Sequence, residues 1–158
     1  MIGIKDLSIG YRQRGGNRLV ASGINAEIEG GRFTCLIGAN GAGKSTLLKT
    51  LAGFLPKLGG SIYIEGKEIS DFTAKDMART VSVVLTARPE AMNMTVEETV
   101  ALGRTPYTGF WGTLSANDRR IVGEAMEQVG ISHLARRVIS TLSDGERQKM
   151  MIAKALAQ

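Results

Sequence analysis

Residues 38–46 constrain this chain more than any other stretch, because they fit the phosphate-binding pattern G-x-x-x-x-G-K-[ST], the Walker A motif. The apolar run at 33–37 predicts a buried strand before the loop, and 45–52 predicts a helix after it. Glycine lets the backbone N–H groups turn inward, where they and the positive end of a helix form an anion site. The sequence therefore predicts a strand, a phosphate-binding loop and a helix.

Each position of the motif has a predicted part in binding. Lys44, the candidate catalytic residue, can reach the β- and γ-phosphates of a nucleotide, and the Ser45 hydroxyl can bind Mg²⁺. The alternative is a glycine-rich turn that only caps a helix. The candidate binding residues are Gly38, Ala39, Asn40, Gly41, Ala42, Gly43, Lys44, Ser45 and Thr46.

The bulk properties fit a soluble globular domain. The chain has 158 residues and a net charge of +5, from 20 Lys and Arg against 15 Asp and Glu. This excess favours polyanions such as nucleotides or a position near an anionic membrane, although scattered surface charge explains it equally well. The single cysteine, Cys35, excludes an intrachain disulfide, and we expect it to be buried. No leader and no apolar run long enough for a bilayer is evident, which predicts a cytoplasmic chain.

Short strands and turns are predicted on both sides of the loop. We expect strands at 2–9, 19–20 and 24–28, and a hairpin of 61–64 and 67–69 that turns at Glu65-Gly66. A helix with Thr73 as N-cap is expected at 74–79. The apolar run 81–85 predicts a strand buried on both faces, as in a parallel sheet.

The segment that follows has helical character. Thr95 and Glu98 have capping-box spacing, which predicts a helix from Val96 to near Gly103, and Ser115 with Asp118 predicts another that ends at Gly130. The loop between them carries three aromatic residues, which either pack beneath their own loop or form a docking surface; they are Tyr107, Phe110 and Trp111. We expect His133 to be an ordinary surface residue.

A second motif opens the last helix, where Ser143 and Glu146 again have capping-box spacing. The run Leu-Ser-Asp-Gly-Glu at 142–146 resembles the signature of ATP-binding cassette (ABC) proteins, usually Leu-Ser-Gly-Gly-Gln, with Asp144 and Glu146 as replacements. The resemblance implies an α/β P-loop NTPase of the ABC type with a RecA-like core, an N-terminal antiparallel β part and an inserted helical subdomain. It divides the chain into 1–86, 87–142 and 143–158, within one partial domain.

The resemblance also implies roles for individual residues. Tyr11 would stack on the adenine of ATP, and Thr86 stands where the family usually has the Q-loop glutamine. The signature residues Ser143, Gly145 and Glu146 would contact ATP held by a second subunit in a head-to-tail dimer. Residues 95–112 would contact a transmembrane permease subunit. Details such as 101–107 resemble ATPase subunits of iron-chelate importers, which act with ATP and Mg²⁺ on the cytoplasmic face of the inner membrane.

The family pattern continues with a Walker B strand, a catalytic Glu and a switch His, whereas this sequence stops within an apolar helical pattern. We therefore expect an incomplete sheet with exposed edges, and little hydrolysis by this chain alone. No nucleic-acid partner is predicted. Three alternatives remain. The first is an ABC ATPase without a transporter, acting in repair or translation, and the second is a nucleotide-binding module without activity. The third is another class of P-loop protein; a GTPase is disfavoured because no Asn-Lys-x-Asp motif is visible.

Overall fold

A computed structural model of the chain describes residues 1–84, 93–109 and 111–158. These residues form two compact units, Met1–Met77 and Ala78–Gln158. Among the described residues, no helix combines the length and the apolar character that crossing a bilayer requires. The division of the chain at 86/87 and 142/143 stays a prediction.

The first unit contains an antiparallel sheet, as predicted. Its strands are β1 (Ile2–Tyr11), β2 (Arg18–Ile28), β3 (Gly59–Ile64) and β4 (Lys67–Glu68), in the order β2-β1-β3-β4. The two strands predicted at 19–20 and 24–28 are one continuous strand. The predicted hairpin turn is confirmed: Glu65 and Gly66 have φ values of 49° and 80°, which a two-residue loop needs to match the strand twist.

A β-bulge at Asp6 explains the spacing of the apolar residues in β1. Asp6 has a φ of 45°, and the pairing of β1 with β2 shifts register between Ile4 and Leu7. The bulge allows Ile4 and Leu7 to be buried although they are three residues apart, a spacing that would place them on opposite faces of a regular strand. The Asp6 N–H donates to Asn25 Oδ1 at 2.9 Å.

Two helices begin in the first unit. Helix α1 (Lys44–Leu51) matches the helix predicted after the loop, with Thr46, Thr50 and Leu51 buried. Helix α2 (Ala74–Thr80) begins after Thr73, whose hydroxyl accepts from the Asp76 N–H at 3.1 Å as predicted.

The predicted strands at 33–37 and 81–84 are wrong. Both segments are irregular; Phe33 is 97% exposed, Ile37 is 86% exposed and Val84 is 43% exposed. Cys35 is also exposed, against the expected burial. A strand is stable only when a neighbour completes its backbone hydrogen bonds, and no strand among the described residues pairs with either segment. Leu85 lies outside the described residues.

Three helices form the second unit: α3 (Val96–Ala101), α4 (Ala116–Gln128) and α5 (Asp144–Ala157). Both predicted capping boxes, with Thr95 and Ser143 as N-caps, are confirmed. Ser115, which was predicted to start a helix together with Asp118, is the N-cap of α4 and forms a third capping box. A 3₁₀ turn at Leu102–Arg104 continues α3, and Gly130, with a φ of 70°, follows α4 where the helix was predicted to end. His133 is exposed as expected. The core of the unit is formed by Val96, Val100, Val122, Ala125, Met126, Ile131, Leu134, Ile139, Leu142, Met150, Ala153 and Ala157.

Candidate functional site

The glycine loop has the backbone conformation that the motif predicts. Gly41 and Gly43 have φ values of 83° and 93°, in the left-handed region, and Gly43 is the N-cap of α1. A Cβ atom at position 43 would lie 2.8 Å from Val20 Cγ1. Both the conformation and the space therefore require glycine at the start of the helix.

Lys44 holds the loop together from within. Its Nζ atom donates to the carbonyl oxygens of Gly38 and Ala39, each at 2.8 Å. An ammonium group carries three N–H donors. Two of them bond the loop, and the third can be donated to an anion bound beside it.

A cavity of about 480 Å³ lies beside the loop. Tyr11 lines this cavity together with residues of the motif. Its hydroxyl lies 3.2 Å from Thr46 Oγ1, and the tyrosine is 38% exposed. Ser45 is exposed and Thr46 is buried. The lining residues are Tyr11, Arg18, Val20, Asn40, Gly41, Gly43, Lys44, Ser45 and Thr46.

Sequence reasoning missed two of these lining residues, Arg18 and Val20. Both lie on β2, and Arg18 is the cross-strand partner of Tyr11. The pairing register alone reveals this neighbourhood, because seven positions separate Tyr11 from Arg18 along the chain. Three residues of the predicted loop, Gly38, Ala39 and Ala42, do not line the cavity. The carbonyl oxygens of Gly38 and Ala39 accept the hydrogen bonds from Lys44.

The predicted signature residues lie in the second unit, at the start of α5. Ser143, Asp144 and Gly145 are exposed, and a Cβ at Gly145 would meet no atom within 4 Å. The Glu146 carboxylate accepts hydrogen bonds from the Ser143 N–H and hydroxyl, each at 2.8 Å. These bonds, aided by the nearby positive charge of Arg137, lower the pKa of Glu146.

The predicted permease-contact segment 95–112 carries rings in two different environments. The Tyr107 ring lies 3.9 Å from the Arg104 guanidinium and 5.1 Å from that of Arg79, so it packs against its own unit. Trp111, in contrast, is 88% exposed. The predictions for Phe110 and Thr86 lie outside the described residues.

Comparison with known proteins identifies the family. The family described as ABC transporter matches residues 21–158, which is most of the chain. The chain belongs to the ABC transporter family.

Curated ABC relatives match nearly the whole chain. An ABC transporter ATP-binding protein of Methanocaldococcus jannaschii is 48% identical over all of this chain and 53% of its own length. The iron(3+)-hydroxamate import ATP-binding protein of Bacillus subtilis is 41% identical over 98% of this chain and 56% of its own length. The ferric enterobactin transport ATP-binding protein of Escherichia coli is 37% identical, over 98% of this chain and 55% of its own length. The chain thus spans about half the length of the curated relatives it matches.

Solved structures confirm the predicted fold class. A nucleotide-free ATP-binding cassette from an ABC transporter superimposes with a TM-score of 0.82 at 23% identity, over 99% of this chain and 64% of that one. A putative metal-chelate type ABC transporter in an inward-facing conformation gives a TM-score of 0.78 at 25% identity, over 99% of this chain and 56% of that one. The fold is the α/β ABC ATPase fold, with antiparallel N-terminal strands.

Proposed function

We propose that this chain forms the nucleotide-binding part of an ATP-hydrolysing subunit of an ABC importer. The observation that carries the proposal is the loop 38–46, in which Lys44 and two left-handed glycines border an open cavity that Tyr11 also lines. Names of relatives, such as the iron(3+)-hydroxamate and ferric enterobactin proteins, support an iron chelate as the transported substrate.

In this proposal the loop binds the triphosphate of ATP. Lys44 is the positive point charge for the β- and γ-phosphates, and the N-terminus of α1 supplies further N–H donors. Tyr11, which lines the same cavity, stacks on the adenine.

Ser45 fits the part of a magnesium ligand. The described residues contain no cluster of three or more His, Cys, Asp or Glu that could hold a metal ion by itself. Mg²⁺ at nucleotide sites needs few protein ligands, because waters and phosphate oxygens complete its octahedron. The exposed Ser45 hydroxyl therefore fits this ion, which neutralises phosphate charge when it is bound.

Two partners complete the proposed importer. A second copy would present its own Ser143, Gly145 and Glu146 to the γ-phosphate, because in each copy the start of α5 is exposed and offers helix N–H groups. Segment 95–112 would contact a permease subunit on the cytoplasmic face of the inner membrane, with exposed Trp111 as one anchor. Thr86 would lie near the γ-phosphate in place of the usual glutamine.

Binding of a fluorescent ATP analogue (mant-ATP) to the chain tests the proposal. Lys44→Ala should weaken binding at least tenfold, because a charge-assisted contact to the phosphates is lost. Lys49→Ala is the matched control, since Lys49 is an exposed lysine in the last turn of the same helix and does not line the cavity. Equal affinity for the wild type and Lys44→Ala would overturn the proposal.

A further inference from the structure

We propose that Arg18 is a further nucleotide-binding residue, whose guanidinium binds the α-phosphate of the nucleotide. This inference rests on the proposed nucleotide site and assigns it a second cation besides Lys44. Arg18 lines the same cavity of about 480 Å³ as Lys44 and Tyr11.

The sheet fixes where Arg18 lies. In the register of β1 and β2, Arg18 stands directly opposite Tyr11. A Cβ at Gly10 would lie only 2.1 Å from the Arg18 carbonyl oxygen, so the backbone of Arg18 rests against the bare backbone of Gly10. This close contact holds the base of the Arg18 side chain next to the predicted adenine-stacking ring.

Val20 relates Arg18 to the phosphate loop. Position 43 of the loop faces Val20, with 2.8 Å between Val20 Cγ1 and the place of a Cβ. Arg18 precedes Val20 by two residues on β2, and the pairing register shifts at Val20, because Ile9 pairs with Ala21 while Gly10 pairs with Leu19. Arg18 thus lies beside Tyr11 on the paired strands, while Lys44 lies in the loop. A cation at this place suits the phosphate nearest the base.

The charge of Arg18 is available for a ligand. Among the residues that the structure describes, none forms an ion pair or a side-chain hydrogen bond with its guanidinium, and the residue is exposed. A guanidinium presents a planar fork of donors that matches two oxygens of one phosphate. Arg12 and Arg14, in the connection between β1 and β2, are also exposed, but neither lines the cavity.

The test compares single-arginine variants of the chain. Affinities for ATP, ADP and AMP are measured by titration calorimetry for the wild type, Arg18→Ala, Arg18→Lys and the control Arg14→Ala. Because all three nucleotides carry the α-phosphate, Arg18→Ala should weaken each by a similar factor of about five. Arg18→Lys should restore part of the loss, and Arg14→Ala should bind as the wild type does. Added salt should reduce the difference between Arg18→Ala and the wild type.

Three results would overturn the assignment. The first is unchanged affinity in Arg18→Ala, and the second is an equal loss in Arg14→Ala, which would indicate only a general effect of charge. The third is a loss of affinity in Arg18→Ala that persists in high salt and that Arg18→Lys does not restore. This result would indicate that the guanidinium contacts the base and not a phosphate. Lys44→Ala, measured in parallel, separates this inference from the proposed function: if it abolishes ATP binding while Arg18→Ala does not alter it, the site stands and Arg18 is outside it.

Discussion

The Arg104 guanidinium and the Asp118 carboxylate form an ion pair in which Nε donates to Oδ1 at 2.9 Å, and both side chains are only 9% exposed. The same guanidinium donates to the Ala157 carbonyl oxygen at 2.8 Å and lies over the Tyr107 ring. One arginine therefore joins α4, the end of α5 and the loop after α3 within the second unit.

Replacing Arg104 should destabilise the chain strongly. Arg104→Gln leaves a buried carboxylate without its cation and a helix-end carbonyl without its donor, so we expect the free energy of unfolding to fall by about 3 kcal/mol. Urea denaturation followed by circular dichroism measures this change. Arg120→Gln is the control, because the pair of Arg120 with Glu124 is exposed, and its loss should stay below about 0.5 kcal/mol. Equal losses in the two variants would contradict the expectation.

Asp118 should titrate at unusually low pH. The hydroxyl of Ser115 and, secondly, the guanidinium of Arg104 donate to its carboxylate and lower its pKa from 3.8 to about 2. The stabilisation that this lowered pKa provides is complete above the ordinary value and is lost as the pH falls from about 4 towards 2.

Carbon-13 NMR of the Asp118 carboxyl group measures the midpoint directly. Ser115→Ala should move the pKa upward, and Asp118→Asn should remove this part of the acid dependence of unfolding. A wild-type midpoint at the ordinary aspartate value would refute the interpretation.

Gly103 and Gly123 should respond to alanine in opposite directions. A Cβ at Gly103 would lie 2.4 Å from the Lys154 carbonyl oxygen, so Gly103→Ala must push α5 aside and should cost about 1–3 kcal/mol. Gly123 is exposed within α4 and has no atom within 4 Å of such a Cβ, so Gly123→Ala should stabilise by about 0.5–1 kcal/mol. Thermal unfolding of both variants decides the matter; destabilisation by Gly123→Ala would show that helix propensity does not govern that site.

Ser143 allows its capping role to be separated from its proposed contact with a second copy. Ser143→Ala should cost about 1 kcal/mol, whereas Ser143→Gly should cost only a few tenths, because glycine is a tolerated N-cap. If the hydroxyl also contacts ATP across a dimer, both variants should weaken the ATP-dependent association of two copies of the protein. Analytical ultracentrifugation with and without ATP measures this association. Intact association of both variants would leave Ser143 with the capping role alone.

The elements that the sequence predicted well are those that depend on neighbours in the chain. The helices of the second unit begin where Thr95, Ser115 and Ser143 predict them, because a capping box is satisfied by residues three positions apart. The glycine loop follows the same logic, since the left-handed conformation at Gly41 and Gly43 belongs to the residues themselves.

Predictions that needed a distant partner were less successful. The apolar run 33–37 has the composition of a strand but remains irregular and exposed, because composition does not supply the neighbour that a strand requires. Arg18 was not predicted as a site residue for a related reason. Its position beside Tyr11 follows from the pairing of two strands, which no local pattern shows. Likewise, no local pattern shows that Arg104 reaches Asp118 and Ala157.

The irregularity at Asp6 reaches further than its own position. Side chains alternate along a strand, so Leu7, Ile9 and Tyr11 share one side, and position 43 of the glycine loop lies close to Ile9 on that side. Without the extra residue of the β-bulge, the even-numbered side chains of β1 would stay on the buried side of the strand after Ile4. The ring of Tyr11 would then face away from Thr46. The β-bulge at Asp6, five residues before Tyr11, therefore determines that the tyrosine ring lies on the side of the cavity.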